Sequence, residues 1–331
     1  MFLEHFGIAE NPFSNTPDPN FVYMSRRHEE ALAHLSYGVK EASGFVLLTG
    51  EVGTGKTTIS RCLAERLPGD IDLALCVNPR LDENELLAYI CDEMGIEVDG
   101  SRYSAKDLMD SINKHLLEVH ASGRRAVLII DEAQNLPPQL LELVRLLTNL
   151  ETAKRKLLQI ILIGQPELRD ILAREDLRQL SQRITARYHL EPMDLDQMRH
   201  CLSHRLGIVG LPINLFHEKA IREIYSLSRG VPRLVNSICE RAMLGAYAQG
   251  RRGIDRQLVD LAASEVLGRP EIADEAGVVA WKWAALALVL ALGAAILYLR
   301  DPFDWRQVSF GPGTVLAGEI AVGPTEPRIG G

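Results

Sequence analysis

The sequence predicts an α/β fold, a mostly parallel sheet between helices, followed by an all-helical domain and a single apolar C-terminal helix. Three observations predict it. Through the first 190 residues, short apolar, β-branched runs alternate with helical patterns that have legible ends. After Pro192 the strand signals stop and only helical patterns remain. From Trp283 to Leu299 the chain then carries 17 uncharged residues in a row. The 331 residues leave room for two compact domains and an appendage, at roughly 100–200 residues per domain.

Strands are expected at FVLLT (45–49), IDLALCV (71–77), AVLII (126–130), LLQIILI (157–163) and TARYHL (185–190). Their near-continuous apolarity suits strands covered on both faces. Between them, Asp82 is expected to cap a helix that stops at Gly95. SAKD (104–107) reads as a capping box for a helix running towards Gly123. Pro137 or Pro138 sits in the first turn of the next helix. Strands separated by helices require crossover connections, and hence a parallel sheet. Further helices begin near Asp194, His217, Pro232 and Asp255. The expected boundaries are 1–192 for the α/β domain with an N-terminal extension and 193–267 for the helical domain. A short acidic linker (268–277), the apolar helix (278–299) and a Gly/Pro-rich tail (300–331) follow.

Hydrophobic content of 47% and charged content of 24% are those of a globular protein. The net charge of −8 argues against a wholesale nucleic-acid coat. Five scattered cysteines without a CxxC pair fit reduced thiols rather than a disulfide framework. The N-terminus MFLEHFGIAENPF has no basic segment leading into an apolar one, so no cleavable signal is expected. The apolar stretch amounts to about 26 Å of helix over Trp283–Leu299, or about 33 Å when Val278–Lys282 is added and Lys282 snorkels. That is enough to cross a hydrocarbon core of ~30 Å. Trp281, Trp283, Tyr298 and Trp305 stand at its ends, where amphipathic rings prefer to lie. It is read as a membrane span.

The chemistry gathers in short motifs. Gly50, Glu51, Val52, Gly53, Thr54, Gly55, Lys56 and Thr57 match the phosphate-loop pattern GxxxxGK[ST], after a strand and opening a helix, with Thr58 next in line. Such glycines let backbone N–H groups curl around phosphate oxygens, and the helix N-terminus adds its dipole. Lys56 is expected to reach the β- and γ-phosphates of ATP, and the Thr57 hydroxyl to hold Mg2+. In AVLIIDEAQ (126–134), Asp131 fits an acid that binds Mg2+ and Glu132 one that polarises the attacking water. Gln165 in LIGQPEL (162–168) either orients water or contacts the γ-phosphate, or merely caps a helix. Among Arg174, Arg178, Arg183 and Arg187, one is a candidate arginine finger for a neighbouring subunit, against the alternative of a solvated charged face. Arg233 in GVPR (230–233) is a candidate second phosphate sensor, against a surface arginine at a helix start. The histidines, His5 and His28 included, show no metal-ligand spacing and read as structural.

Together with the N-terminal HFGIAENPFSNTPDPNFVYMSRRHEEAL and with QRITARYHL and SRGVPRLVNSICERA, these motifs resemble an AAA+ ATPase. More narrowly, they resemble the ExeA/GspA (general secretion pathway protein A) group and its relatives in MSHA-type pilus biogenesis. The resemblance covers about residues 1–267. It implies the roles above for Lys56, Thr57, Asp131 and Glu132, places Gln165 at the sensor-1 position, matches Arg183 to the finger and Arg233 to sensor 2. It implies that the NPF…PDP segment helps to close the nucleotide pocket. It also implies a ring-type homo-oligomer at the inner membrane, the ATPase domain in the cytoplasm, serving an envelope assembly partner of a type II secretion or type IV pilus apparatus. The resemblance implies a periplasmic wall-binding domain after the span; here the tail from Asp301 is 31 residues, and it is expected to recruit a partner instead. Two alternatives remain at this level. One is a DNA-transposition ATPase, since Arg229, Arg233, Arg241, Arg251, Arg252 and Arg256 face only Glu240 and Asp255; nucleic acid is the less favoured partner. The other is a nucleotide-switched scaffold with little turnover.

Overall fold

Five short β-branched runs become the strands of one sheet in the computed structural model, which describes residues 2–16, 18–41, 44–77, 79, 81–98, 103–152 and 156–268. In chain order the elements are α1 (Phe2–Phe6), α2 (Arg26–Glu41), β1 (Phe45–Gly50), α3 (Lys56–Arg66), β2 (Ile71–Cys76), α4 (Glu83–Glu93), α5 (Ala105–Ala121) and β3 (Arg125–Ile130). Then come α6 (Pro138–Leu147), β4 (Leu158–Gly164), α7 (Glu167–Leu172), α8 (Arg178–Gln182), β5 (Ile184–Leu190), α9 (Leu195–Ile208), α10 (Glu218–Ser228), α11 (Pro232–Ala248) and α12 (Arg256–Leu267). The sheet is parallel throughout, in the order β2-β3-β4-β1-β5.

Alternation along β1 divides the core. Phe45 and Leu47 face the layer of α4, α5 and α6, where Leu86, Ile112 and Val144 are buried. Val46 and Leu48 face α2 and α3, against Leu35, Ile59 and Leu63. The central strands β1 and β4 are buried at every position. The edge strands differ from the expectation of cover on both faces: β5 alternates between exposed and half-buried positions over most of its length, and β2 is mostly half-buried.

The helix ends follow their local chemistry. Asp82 and Glu85 form a reciprocal capping box at α4, as do Ser104 and Asp107 at α5 and Asp194 and Gln197 at α9. Pro137 stands at the N-cap of α6 and Pro138 in its first turn. Helix α2 is one the sequence patterning above did not single out, although Ala31, Leu32, Leu35 and Val39 line its buried side at helical spacing.

Helices α9–α12 build a second core around Met198, Leu202, Ile224, Ile238, Met243 and Val259. The N-terminal segment contributes Ile8 and Phe13 to that core. Among the described residues no helix is long and apolar enough to cross a membrane. The linker (268–277), but for Gly268, the span expected at 278–299 and the tail at 300–331 lie outside the described residues.

Candidate functional site

The strand order brings the carboxyl ends of β1, β4 and β3 side by side, the position where open parallel sheets place their ligands. The turn after β1 is residues 51–55. Gly53 has φ 81° and Gly55 φ 100°, values that a side chain resists. A Cβ on Gly53 would stand 2.6 Å from the Cβ of Arg233, and one on Gly55 2.8 Å from Nε2 of His28. Gly55 is the N-cap of α3 and offers no side-chain cap, so the helix presents its first backbone N–H groups uncapped by any side chain.

Lys56 is 5% exposed. Its Nζ donates to the carbonyls of Gly50 (2.8 Å) and Glu51 (3.0 Å). Burial pushes its pKa down, and the nearby carboxylates of Glu132 and Asp131 oppose that shift. Asp131 is fully buried at the end of β3. The Thr57 hydroxyl donates to its Oδ2 at 2.7 Å, and the backbone N–H of Glu132 to its Oδ1 at 2.9 Å. Burial raises the Asp131 pKa, while these two hydrogen bonds pull it back. A hydroxyl and a carboxylate in direct contact are hard oxygen donors of the kind Mg2+ takes.

Glu132 has φ 53°, left-handed backbone at a non-glycine residue. Its Oε2 accepts from Nε2 of Gln165 at 3.1 Å and from Nε2 of Gln134. Gln134 in turn accepts the backbone N–H of Gln165 at 3.1 Å. Gln134 was not among the residues expected from sequence; its place in the DEAQ string, two residues after Glu132, was the available signal. Gly164 makes room for it, since a Cβ there would stand 2.7 Å from Oε1 of Gln134.

A cavity of about 790 Å³ opens beside these groups. Its walls are the N-terminal segment (Asn15, Asp18, Val22), the loop and α3 (Gly53, Gly55–Thr58), Glu132, and the start of α11 with Arg233 and Asn236. The backbone N–H of Arg233 donates to the Gly53 carbonyl at 3.2 Å, so the helical region touches the loop directly. Arg183 lies elsewhere. It precedes β5, and its Nη1 donates to Thr148 Oγ1 (2.9 Å) and Asn149 Oδ1 (2.6 Å). His28, read as structural, sits under the loop with Nε2 2.9 Å from the Thr54 carbonyl oxygen.

Residues 39–172 match the sequence family described as AAA domain. The chain carries an AAA domain. That match contains Lys56, Thr57, Asp131, Glu132 and Gln165, and leaves Arg183 and Arg233 outside. The chain is a relative of general secretion pathway protein A from Aeromonas hydrophila, with 47% identity over 312 residues, 94% of this chain and 55% of that protein. It thus spans about half the length of that relative. Among solved structures, it is similar to Cdc6p from Pyrobaculum aerophilum, with a TM-score of 0.61 and 20% identity over 75% of this chain and 68% of that one. It is also similar to the Aeropyrum pernix ORC2 protein in its ADPNP–ADP complexes, with a TM-score of 0.57 and 19% identity over 77% and 71%. At that identity the likeness is one of fold.

On the helical region, three of the six arginines named above pair with acids. Arg241 pairs with Glu265, Arg251 with Asp255, and Arg256 with Glu223 at 2.9 Å. Asp255 was already counted beside these arginines, whereas Glu265 and Glu223 are brought in by folding.

Proposed function

We propose that this chain is an ATPase that binds ATP with Mg2+ at the loop of its AAA domain and couples hydrolysis to the assembly of a cell-envelope machine. The observation that carries the catalytic part is the convergence of Lys56, Thr57 and Glu132 on one cavity, with Asp131 held directly behind Thr57. Residues Gly50–Thr58 cradle the phosphates through backbone N–H groups, and Lys56 leaves its two carbonyls to meet phosphate oxygens. Thr57 and Asp131 hold Mg2+, which, when bound, neutralises charge on the phosphates. Glu132 polarises the attacking water, Gln165 orients that carboxylate and the water, and Arg233 touches the phosphates from the helical side. Arg183 serves a neighbouring copy in a homo-oligomer, for which it must exchange Thr148 and Asn149 for phosphate oxygens.

The envelope assignment draws on the kinship with general secretion pathway protein A and on the apolar stretch at 278–299. In this reading that stretch spans the inner membrane, the AAA domain lies on the cytoplasmic side, where ATP is, and the client belongs to a type II secretion or type IV pilus apparatus. The test of the enzyme is direct. Lys56→Ala should abolish tight ATP binding, and Glu132→Gln should bind ATP yet hydrolyse it orders of magnitude more slowly. Turnover by Glu132→Gln at the parent rate would remove Glu132 from its role.

A second reading, a nucleotide switch with little turnover, is favoured by one observation: two glutamine amides occupy the same carboxylate oxygen of Glu132, Oε2, in this conformation. Steady-state phosphate release separates the two. A switch releases at most one phosphate per bound ATP over many minutes.

A further inference from the structure

We propose that His28 is a positioning residue of the phosphate loop: it holds Thr54 and Gly55 from beneath and joins them to the N-terminal wall of the cavity. The proposal rests on the reading that this loop binds nucleotide phosphates.

His28 is 6% exposed in the first turn of α2, beside the fully buried Ser25. Its Nε2 lies 2.9 Å from the Thr54 carbonyl oxygen. A carbonyl can only accept, so Nε2 carries the ring proton and donates it. In the neutral ring Nδ1 is then an acceptor, and the Ser25 hydroxyl, 2.6 Å away, donates to it. The same Ser25 Oγ accepts the backbone N–H of His28 at 3.4 Å, which caps α2. Ser25 Oγ thus donates to the ring and accepts from the backbone, and burial lowers the His28 pKa, which favours the neutral ring this requires.

Contact supports the same placement. The space that a side chain on Gly55 would take is filled by the imidazole, 2.8 Å from that Cβ position. The ring therefore sets the height of the loop backbone where φ reaches 100°. His28 itself does not line the cavity, whereas Asp18, Pro19, Val22 and Met24, just ahead of Ser25, do. Wall and loop are thus tied by Met24–Ser25, His28 and Thr54. A ligand seated against both meets a loop already in place; without the ring, ordering the loop is charged against binding. Since the ring meets only the far side of the loop, its loss acts on affinity and not on the chemical step.

The test uses the full chain, a fluorescent ATP analogue and a fluorescent ADP analogue for affinity, and steady-state turnover for kcat and KM. His28→Ala should bind both analogues about tenfold more weakly, with kcat at saturating ATP within twofold of the parent. His28→Gln places an amide N–H within reach of the Thr54 carbonyl and should recover most of the affinity. Parent affinity in His28→Ala, a loss of kcat at unchanged KM, or no recovery with glutamine would each overturn the proposal. If His28→Ala does not fold, Ser25→Ala, which keeps the ring but removes its donor, should weaken binding two- to fivefold, and parent affinity there overturns it. Failure of the parent to bind either analogue sinks the nucleotide reading itself; parent binding without a His28 effect sinks this proposal alone.

Discussion

The Glu132 side chain leaves a left-handed backbone and ends between two glutamine amides. A non-glycine residue there costs about 1–3 kcal/mol, a conformation retained only when its surroundings hold it. Gln134 is that holder. Removing one donor from a carboxylate costs about 1.5 kcal/mol, roughly tenfold in rate if it acts through the orientation of Glu132. Gln134→Ala should therefore lower kcat about tenfold with KM for ATP within twofold. Gly164→Ala should do the same, because its new Cβ displaces the Gln134 amide; a pure KM effect in both variants would exclude the role.

His28 supplies a pH test at the same scale. Burial lowers its pKa in the folded chain, and unfolding returns it to the ordinary value of about 6.5. The unfolded chain then binds the proton first as pH falls. The stability His28 contributes is whole above about pH 6.5 and shrinks below it, towards the lowered folded value. The gap in urea midpoint between the parent and His28→Gln should narrow over that window. A gap independent of pH between 7.5 and 5.5 would exclude this.

Helix α2 shows how an element can hide. Its buried Ala31, Leu32, Leu35 and Val39 keep helical spacing, but Gly38 interrupts the pattern near its end. The glycine is there for contact: a Cβ would stand 2.3 Å from Cγ2 of Val46, on a fully packed, β-branched strand residue. In an exposed helix, glycine to alanine gains about 1 kcal/mol. Here overpacking of about 1–3 kcal/mol opposes that gain, so Gly38→Ala should lower the melting temperature; a raised one would show that Val46 yields freely. The buried strands were legible because burial on both faces leaves a continuous apolar run, and the capped helices because Asp82, Ser104 and Asp194 announce themselves locally. The alternating exposure of β5 was not, because which strand ends at the edge depends on pairing across the sheet. The same division holds for the site. Gly50–Thr57 and Asp131–Glu132 are contiguous strings, whereas Gln134 and His28 take their parts from residues brought near by the fold.

For the whole molecule, the expectations concern copies of the chain and the membrane. If Arg183 completes a neighbour's site, mixing Arg183→Ala with Lys56→Ala chains should restore part of the activity, since one interface then pairs an intact loop with an intact arginine. No recovery, with mixed oligomers confirmed by cross-linking, would exclude action in trans. The expected span predicts that the full chain resists carbonate extraction from membranes, and that arginines placed at Leu290 and Gly293 release it, at about 2.5–3.5 kcal/mol each. Retention of that double variant in the pellet would exclude a bilayer anchor at 278–299.

The strand order has a consequence for how the protein comes into being. Strand β1, which leads into the nucleotide loop, pairs with β4 and β5, whose residues lie more than a hundred positions further along the chain. On the ribosome, β1 therefore emerges and waits without either neighbour while β2 and β3 are made. Such distant pairing is slow to nucleate, and it leaves a bare hydrophobic strand exposed in the meantime. ATP cannot assist that early stage, because its cradle does not exist until β5 has left the exit tunnel. Stalled nascent chains ending before residue 190 should accordingly be protease-sensitive with or without ATP, and protection by ATP should begin only once the helical region, which carries Arg233, has emerged as well.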